Sequence, residues 1–190
     1  MKKIIGLFAA LLITSALSAQ KIGVKNNLLY DATLTPNLGL EIGLGAKTTL
    51  DLTGGYQWWD IDKDKGKKFR HWLAQPELRF WSCERFNGFF WGIHLHGGEF
   101  NVGGIELPFG AFPSLKESRY EGYFYGGGVS VGKQWIIGRR WNLEASIGAG
   151  YARVHYDKYE CGNCGLWQKK DNKNYFGVTR ATLSFIYFLK

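Results

Sequence analysis

The feature that most constrains this chain is alternation. Apolar residues and small or polar ones trade places at every second position, segment after segment, and a period of two belongs to β-strands, whose successive side chains point to opposite faces. Leu38, Leu40, Ile42, Leu44 and Ala46 oppose Gly39, Glu41, Gly43 and Gly45. Leu50, Leu52, Gly54, Tyr56 and Trp58 oppose Asp51, Thr53, Gly55 and Gln57, and Trp72, Ala74, Pro76, Leu78 and Phe80 oppose Leu73, Gln75, Glu77 and Arg79. Phe89, Trp91, Ile93 and Leu95 oppose Gly92, His94 and His96; Tyr123, Tyr125, Val129 and Val131 oppose Gly126, Gly128, Ser130 and Gly132. Leu143, Ala145, Ile147, Ala149 and Tyr151 oppose Asn142, Glu144, Ser146 and Gly148, and Ala181, Leu183, Phe185, Tyr187 and Leu189 oppose Arg180, Thr182 and Ser184. With a less regular first strand near Val24–Tyr30, the count is eight.

The connections narrow the architecture. Ala46–Thr49, Ser82–Gly88 and Gly138–Arg140 are short, and they alternate with Asp31–Asn37, Trp59–Phe69, Glu99–Arg119 and Asp157–Asn174. In an up-and-down barrel this puts every short turn at one rim, the pattern of short periplasmic turns and longer external loops. The polar face is mostly Gly, Ser and Thr with single charges, too small to shield a soluble protein, whereas the apolar face ends in rings. Tyr56, Trp58 and Trp72 lie toward the long-loop rim and Phe80, Phe89, Trp91 and Trp135 toward the other, as two headgroup levels would require. The expected fold is all-β: an eight-stranded antiparallel up-and-down transmembrane β-barrel. The competing reading is a soluble ligand-binding barrel with an aromatic core. Lys133 and Pro76, both on the expected lipid face, count against the membrane reading.

Composition agrees with β structure. The 190 residues hold 26 Gly, 4 Pro and 1 Met, with 16% aromatics; a helical bundle loses about 1 kcal/mol at each interior Gly relative to Ala. Residues 1–19 read as an export signal: Lys2 and Lys3, an apolar stretch Ile4–Ile13, and a small-residue exit Ser15–Ala19. A retained anchor is the alternative, but the apolar run is short of the roughly 18–20 residues a spanning helix needs. The barrel domain is then 20–190, one domain, expected as a monomer in a cell outer membrane. The net charge of +8 suits anionic lipid or polysaccharide, or simply solubility, better than nucleic acid, which exported proteins rarely meet.

The inward set Glu41, Asp51, Glu77, Arg79, Glu144 and Arg180 must be paired in so narrow a lumen, since a lone buried charge costs several kcal/mol. A salt-bridged plug is expected, with a proton path or a catalytic carboxylate pair as alternatives. His94 and His96 project to one side and could hold a metal with Glu41 or Glu77, but no further His or Cys supports this, and neither metal nor cofactor is expected. His155 and Ser118 are the only residues resembling the catalytic groups of lipid-modifying barrels, and they form no constellation in the sequence. Cys161 and Cys164 form C-G-N-C. Export favours a loop-stiffening disulfide over zinc or a redox pair, and Cys83 lies at the opposite rim. In the long loops, Ile105, Leu107, Phe109 and Phe112 form an apolar surface and Lys169 and Lys170 a basic one, together the expected binding elements.

Several strings carry a resemblance: N-N-L-L-Y-D-A-T-L-T-P-N-L-G at Asn26–Gly39, C-E-R-F-N-G at Cys83–Gly88, F-N-V-G-G-I at Phe100–Ile105, P-S-L-K-E-S-R-Y-E-G at Pro113–Gly122, W-N-L-E-A-S-I-G at Trp141–Gly148 and D-K-Y-E-C at Asp157–Cys161. Through them the chain resembles a family of Bacteroidota proteins defined only as a domain of unknown function. The resemblance implies no catalytic residues. It implies proximity to fimbriae, because such proteins are often encoded beside fimbrial subunits. The expected function is therefore a non-enzymatic outer-membrane barrel whose external loops bind a surface partner, a fimbrial component or lipopolysaccharide. The alternative is a membrane-embedded enzyme acting on outer-membrane lipid.

Overall fold

The computed structural model describes residues 21–59, 68–104, 118–160 and 166–189. Its strands are β1 (Ile22–Asn27), β2 (Asn37–Gly43), β3 (Thr48–Gln57), β4 (Lys68–Trp81), β5 (Gly88–Gly103), β6 (Ser118–Ile136), β7 (Trp141–Glu160) and β8 (Trp167–Phe188). Each pairs antiparallel with its neighbours in sequence, and β8 returns to β1, so the ring of hydrogen bonds closes into a barrel. Following the register from Gly23 through Glu41, Asp51, Glu77, His94, Gly128 and Gly150 leads to Gly177. Gly23 itself pairs with Phe188. That offset along β8 is the stagger a tilted, closed sheet demands.

Polarity is inverted relative to an ordinary core. Among the described residues only seven apolar side chains are buried, against 21 polar or charged ones. Leu95, Val129, Val131, Phe89 and Phe176 are more than half exposed on the outside. The outer rings gather at two levels. Phe80 stacks on Trp91 at 4.4 Å and Trp141 packs on Tyr187 at 4.9 Å near the short turns; Tyr56 pairs with Trp72, and Tyr151 packs on Phe176 at 5.0 Å, toward the other rim. On β4 the levels are the positions of Trp72 and Phe80. That separation corresponds to about 27 Å along a strand, or roughly 21 Å once a barrel tilt near 40° is included, which compares with the ~25 Å apolar band that transmembrane barrels carry.

Two features that counted against this exterior are accommodated. Lys133 lays its ammonium over Phe89 at 4.7 Å and Trp135 at 5.5 Å. Pro76 lies outward, and the β4–β5 pairing skips Gln75 and Pro76 while Ala74↔Gly97 and Glu77↔His94 keep one register. The missing proline N–H thus interrupts the ladder without shifting it.

The boundaries differ from the periodicity in three places. The first strand ends at Asn27, not Tyr30, because the Asn27 side chain accepts from the Leu29 N–H and caps a short helix α1 (Leu28–Ala32). Leu44 and Ala46 fall in the turn after β2. Two of the long connections are shorter than read from the sequence: Glu99–Gly103 extends β5, Ser118 and Arg119 open β6, and Lys169, Lys170 and Asn174 are strand residues of β8. Polar residues at a period of two pair as strands when both flanks already run antiparallel, so composition mistook exposed strand for loop. The wall is consequently uneven. β1 pairs with β8 only as far as Asn27↔Ser184, whereas β7 and β8 stay paired up to Tyr159↔Trp167.

Candidate functional site

The lumen is stacked in three layers. At the short-turn end the loop after β4 turns Phe86 inward. Phe86 has φ 65°, a left-handed conformation costing a bulky residue of order 1–3 kcal/mol. The ring is repaid by burial: it packs edge-on against Phe188 at 4.9 Å and lies beside Trp81 and Ile186, all almost wholly buried. The Asn142 amide donates to the Phe86 carbonyl at 2.8 Å and pins the loop. This layer stops the barrel with hydrocarbon.

Above it lies the charge network. Glu41 faces Asp51, and Asp51 faces Glu77, across β2, β3 and β4. Like charges directly opposite one another destabilise a sheet, so cations must lie among them. Arg79 supplies the centre: Nε donates to Glu77 at 2.7 Å, Nη1 to Glu144 at 2.7 Å and Glu41 at 3.2 Å, and Nη2 to Asp51 at 2.9 Å and Glu144 at 3.0 Å. Its guanidinium also sits over Phe90 at 4.4 Å. Arg180 donates to Asp51 at 2.6 Å and to Gln75 at 3.3 Å. All six inward charges read from the sequence meet here, at 0–2% exposure.

The sequence reading omitted a seventh member. Lys25 places its ammonium 2.9 Å from Glu144, 3.0 Å from Glu41 and 3.4 Å from Asp51. Its stem crosses the inner face where Gly39 lies opposite, and a Cβ at Gly39 would meet Lys25 Cγ. Gly92 gives Glu77 the same room, since a Cβ there would lie 2.6 Å from the Glu77 carboxylate. Lys25 and Glu77 thus each lie over a glycine of the adjoining strand, which explains part of the glycine content. Gln134, Thr49, Thr53, Ser130 and Thr182 satisfy the remaining carboxylate lone pairs.

The third layer, toward the long connections, is a cavity of about 540 Å³. Phe69, Phe100, Tyr120, Phe124, Ala152, Val154 and Tyr175 line it, and Gln75, His96 and Thr179 form the part nearest the network. A bulge in β8 builds that floor: Gly148 pairs with Arg180 but Ala149 with Val178, leaving Thr179 unpaired between them. The extra residue lets Thr179 and Arg180, consecutive in sequence, both serve the lumen. Thr179 Oγ1 lies 2.9 Å from His94 Nε2, and its carbonyl accepts from Gln75 at 2.9 Å. Helix α1 sends the Tyr30 hydroxyl to Gln75 Oε1 at 3.3 Å.

The other expected site residues fall as follows. His94 and His96 are neighbouring rings 5.7 Å apart, and among the described residues no group of three or more His, Cys, Asp and Glu is placed to hold a metal. Ser118 is buried within the barrel, whereas His155 stacks on Tyr123 at 4.8 Å on the other face of the wall. The wall does not bring the two together. Cys83 is exposed and free; Cys161, Cys164, Ile105, Leu107, Phe109 and Phe112 lie outside the described residues, as does the 1–19 segment. On the upper β7–β8 wall Lys158 stands directly opposite Lys169, and Asp157 opposite Lys170. Lys169 hydrogen-bonds Asp171 at 2.7 Å, which raises the lysine above its ordinary range and lowers the aspartate.

One family model, described as Protein of unknown function (DUF3575), matches residues 5–189. No curated protein and no solved structure matches the chain.

Proposed function

The chain belongs to the family described as Protein of unknown function (DUF3575), and since that description assigns no activity, we propose the function from the physics of the barrel. It is an outer-membrane β-barrel, exported by its N-terminal segment, with the short turns on the periplasmic side. It acts without bond chemistry, holding a surface partner on the external wall. The inverted polarity carries the membrane half of this reading: charges and amides fill the inside while Leu, Val, Trp and Phe cover the outside, an arrangement that only hydrocarbon solvates well. The filled lumen supports a scaffold over a pore, because Phe86, Ile186, Phe188 and the Arg79 network occupy the lower half almost wholly buried.

The uneven wall supports the binding half. Nine residues of β7 beyond Tyr151 and the β8 residues paired with them rise past the upper rings, roughly 30 Å of strand. This wall carries Arg153, Lys158, Lys169, Lys170 and Lys173. Lys158 and Lys169 face each other across the ladder, and although Asp171 already pairs with Lys169, the cations of this wall outnumber its acids Asp157, Glu160 and Asp171, which leaves it net basic. The partner proposed is therefore anionic, the phosphate-bearing part of lipopolysaccharide. A fimbrial component is a further partner resting on the family resemblance. The test has two arms. Folded protein in detergent should migrate faster than boiled protein, and Lys169→Glu/Lys170→Glu should weaken capture on lipopolysaccharide-containing vesicles at least tenfold, with mobility unchanged. A chain soluble and monomeric without detergent overturns the membrane reading; undiminished capture by the folded variant overturns the binding reading.

A further inference from the structure

The upper lumenal cavity has a polar group with nothing to do. His96 is 6% exposed, and neither of its ring nitrogens has a hydrogen-bond partner among the described residues. A buried polar atom left unpaired costs about 1–3 kcal/mol, so a fold that retains one at the floor of an apolar chamber is furnishing a partner for something else. His94, two residues away on the same face, keeps Nε2 on Thr179 and leaves only Nδ1 unpaired, so His96 is the ring with both nitrogens free among the described residues. The His96 ring is held close against the inner wall, since a Cβ at Gly126 would lie 2.8 Å from Nε2.

We propose that this cavity is a ligand site for a lipophilic alcohol, an apolar chain or ring system ending in a hydroxyl, with His96 as the recognising residue. The chamber's volume of about 540 Å³ lies within the range of small-molecule pockets, which are mostly apolar with a few placed polar groups. Phe100, Phe124, Val154 and Tyr175 supply the apolar body. A neutral imidazole has one donor and one acceptor nitrogen, and a hydroxyl is the smallest group that can use either. The network beneath sets the charge. Lys25, Arg79 and Arg180 face Glu41, Asp51, Glu77 and Glu144, one carboxylate in excess when all are ionised. A carboxylate headgroup is thereby disfavoured at the floor. A cation finds no unpaired carboxylate there, because all four already accept from Arg79. The cavity shares Val154, Lys173 and Tyr175 with the base of that wall but lies on its lumenal side, and the inference goes beyond the binding role proposed for the wall.

The experiment uses the full mature chain folded in micelles and a ten-carbon alcohol bearing a diazirine at its far end, photolysed and mapped by peptide mass spectrometry. Label is expected on inward residues such as Phe124 and Tyr175. It should fall at least tenfold in Ala152→Trp, which fills the chamber, and roughly three- to tenfold in His96→Phe, the loss of one hydrogen bond. The matching diazirine alkane should not distinguish His96→Phe from the parent. Heat-modified mobility reports folding, and Val154→Trp replaces Ala152→Trp if the latter does not fold. Label confined to outward residues such as Val129 and Phe176, or inward label indifferent to both the filling variant and His96→Phe, overturns the site.

Discussion

Removing Arg79 is the sharpest test of the lumen. Arg79→Met deletes a guanidinium that makes five hydrogen bonds to four carboxylates, all of them 0–1% exposed. Lys25 and Arg180 remain and reach Glu41, Asp51, Glu144 and Glu77, but the excess of carboxylates over cations rises from one to two. Breaking a single buried pair by removing one partner costs about 3–5 kcal/mol, and Arg79 serves four acceptors, so a loss of at least ~4 kcal/mol is expected. Glu144 is the most dependent partner, taking two bonds from Arg79, at 2.7 and 3.0 Å. Adding Glu144→Gln to Arg79→Met returns the excess to one while keeping an amide of the same shape. The double variant should recover about half of that loss, roughly 2 kcal/mol, because the lone buried charge is the expensive state. Urea unfolding in lipid vesicles, followed by heat-modified mobility and tryptophan emission, reads both quantities. If Arg79→Met unfolds at the same urea concentration as the parent, Arg79 is not the centre of a buried network. If the double variant is no more stable than the single, uncompensated charge is not what the single change costs.

Two further outcomes follow from the walls of the barrel. Leu95, 63% exposed and midway between the ring levels on β5, should tolerate arginine in a soluble barrel. In a bilayer Leu95→Arg should cost about 2–4 kcal/mol, and equal stability of variant and parent in vesicles would contradict the membrane face. Gly126→Ala places a methyl against the Tyr151 carbonyl and the Ala152 Cα, backbone atoms that cannot swing aside. It should lower stability by about 1–3 kcal/mol, whereas Gly45→Ala, whose nearest neighbour is 4.0 Å away, should shift the unfolding midpoint little; equal midpoints would refute the close β6–β7 approach.

How much of this was legible depends on what a period of two encodes. It encodes side. Alternation in the sequence put Glu41, Asp51, Glu77, Arg79, Glu144 and Arg180 on one face and the leucines and rings on the other, and the strand count followed from the turns between them. It does not encode height, because the level at which two inward residues meet depends on the stagger accumulated around eight pairings. Lys25 escaped notice for that reason: it sits on the least regular strand, and only closure of β1 on β8 carries it to Glu144, 119 positions away. Thr179 was invisible for another, since a bulge breaks the alternation that would have assigned it a side. Phe86 stood in a turn, where periodicity says nothing, and its burial is decided by the hollow above it. The sequence alone thus determined which residues face inward, through the geometry of a single strand. Tertiary closure decided which of them touch, and left the apolar chamber and the unpaired His96 above the charges, because contacts across a lumen exist only once the ring of strands is complete.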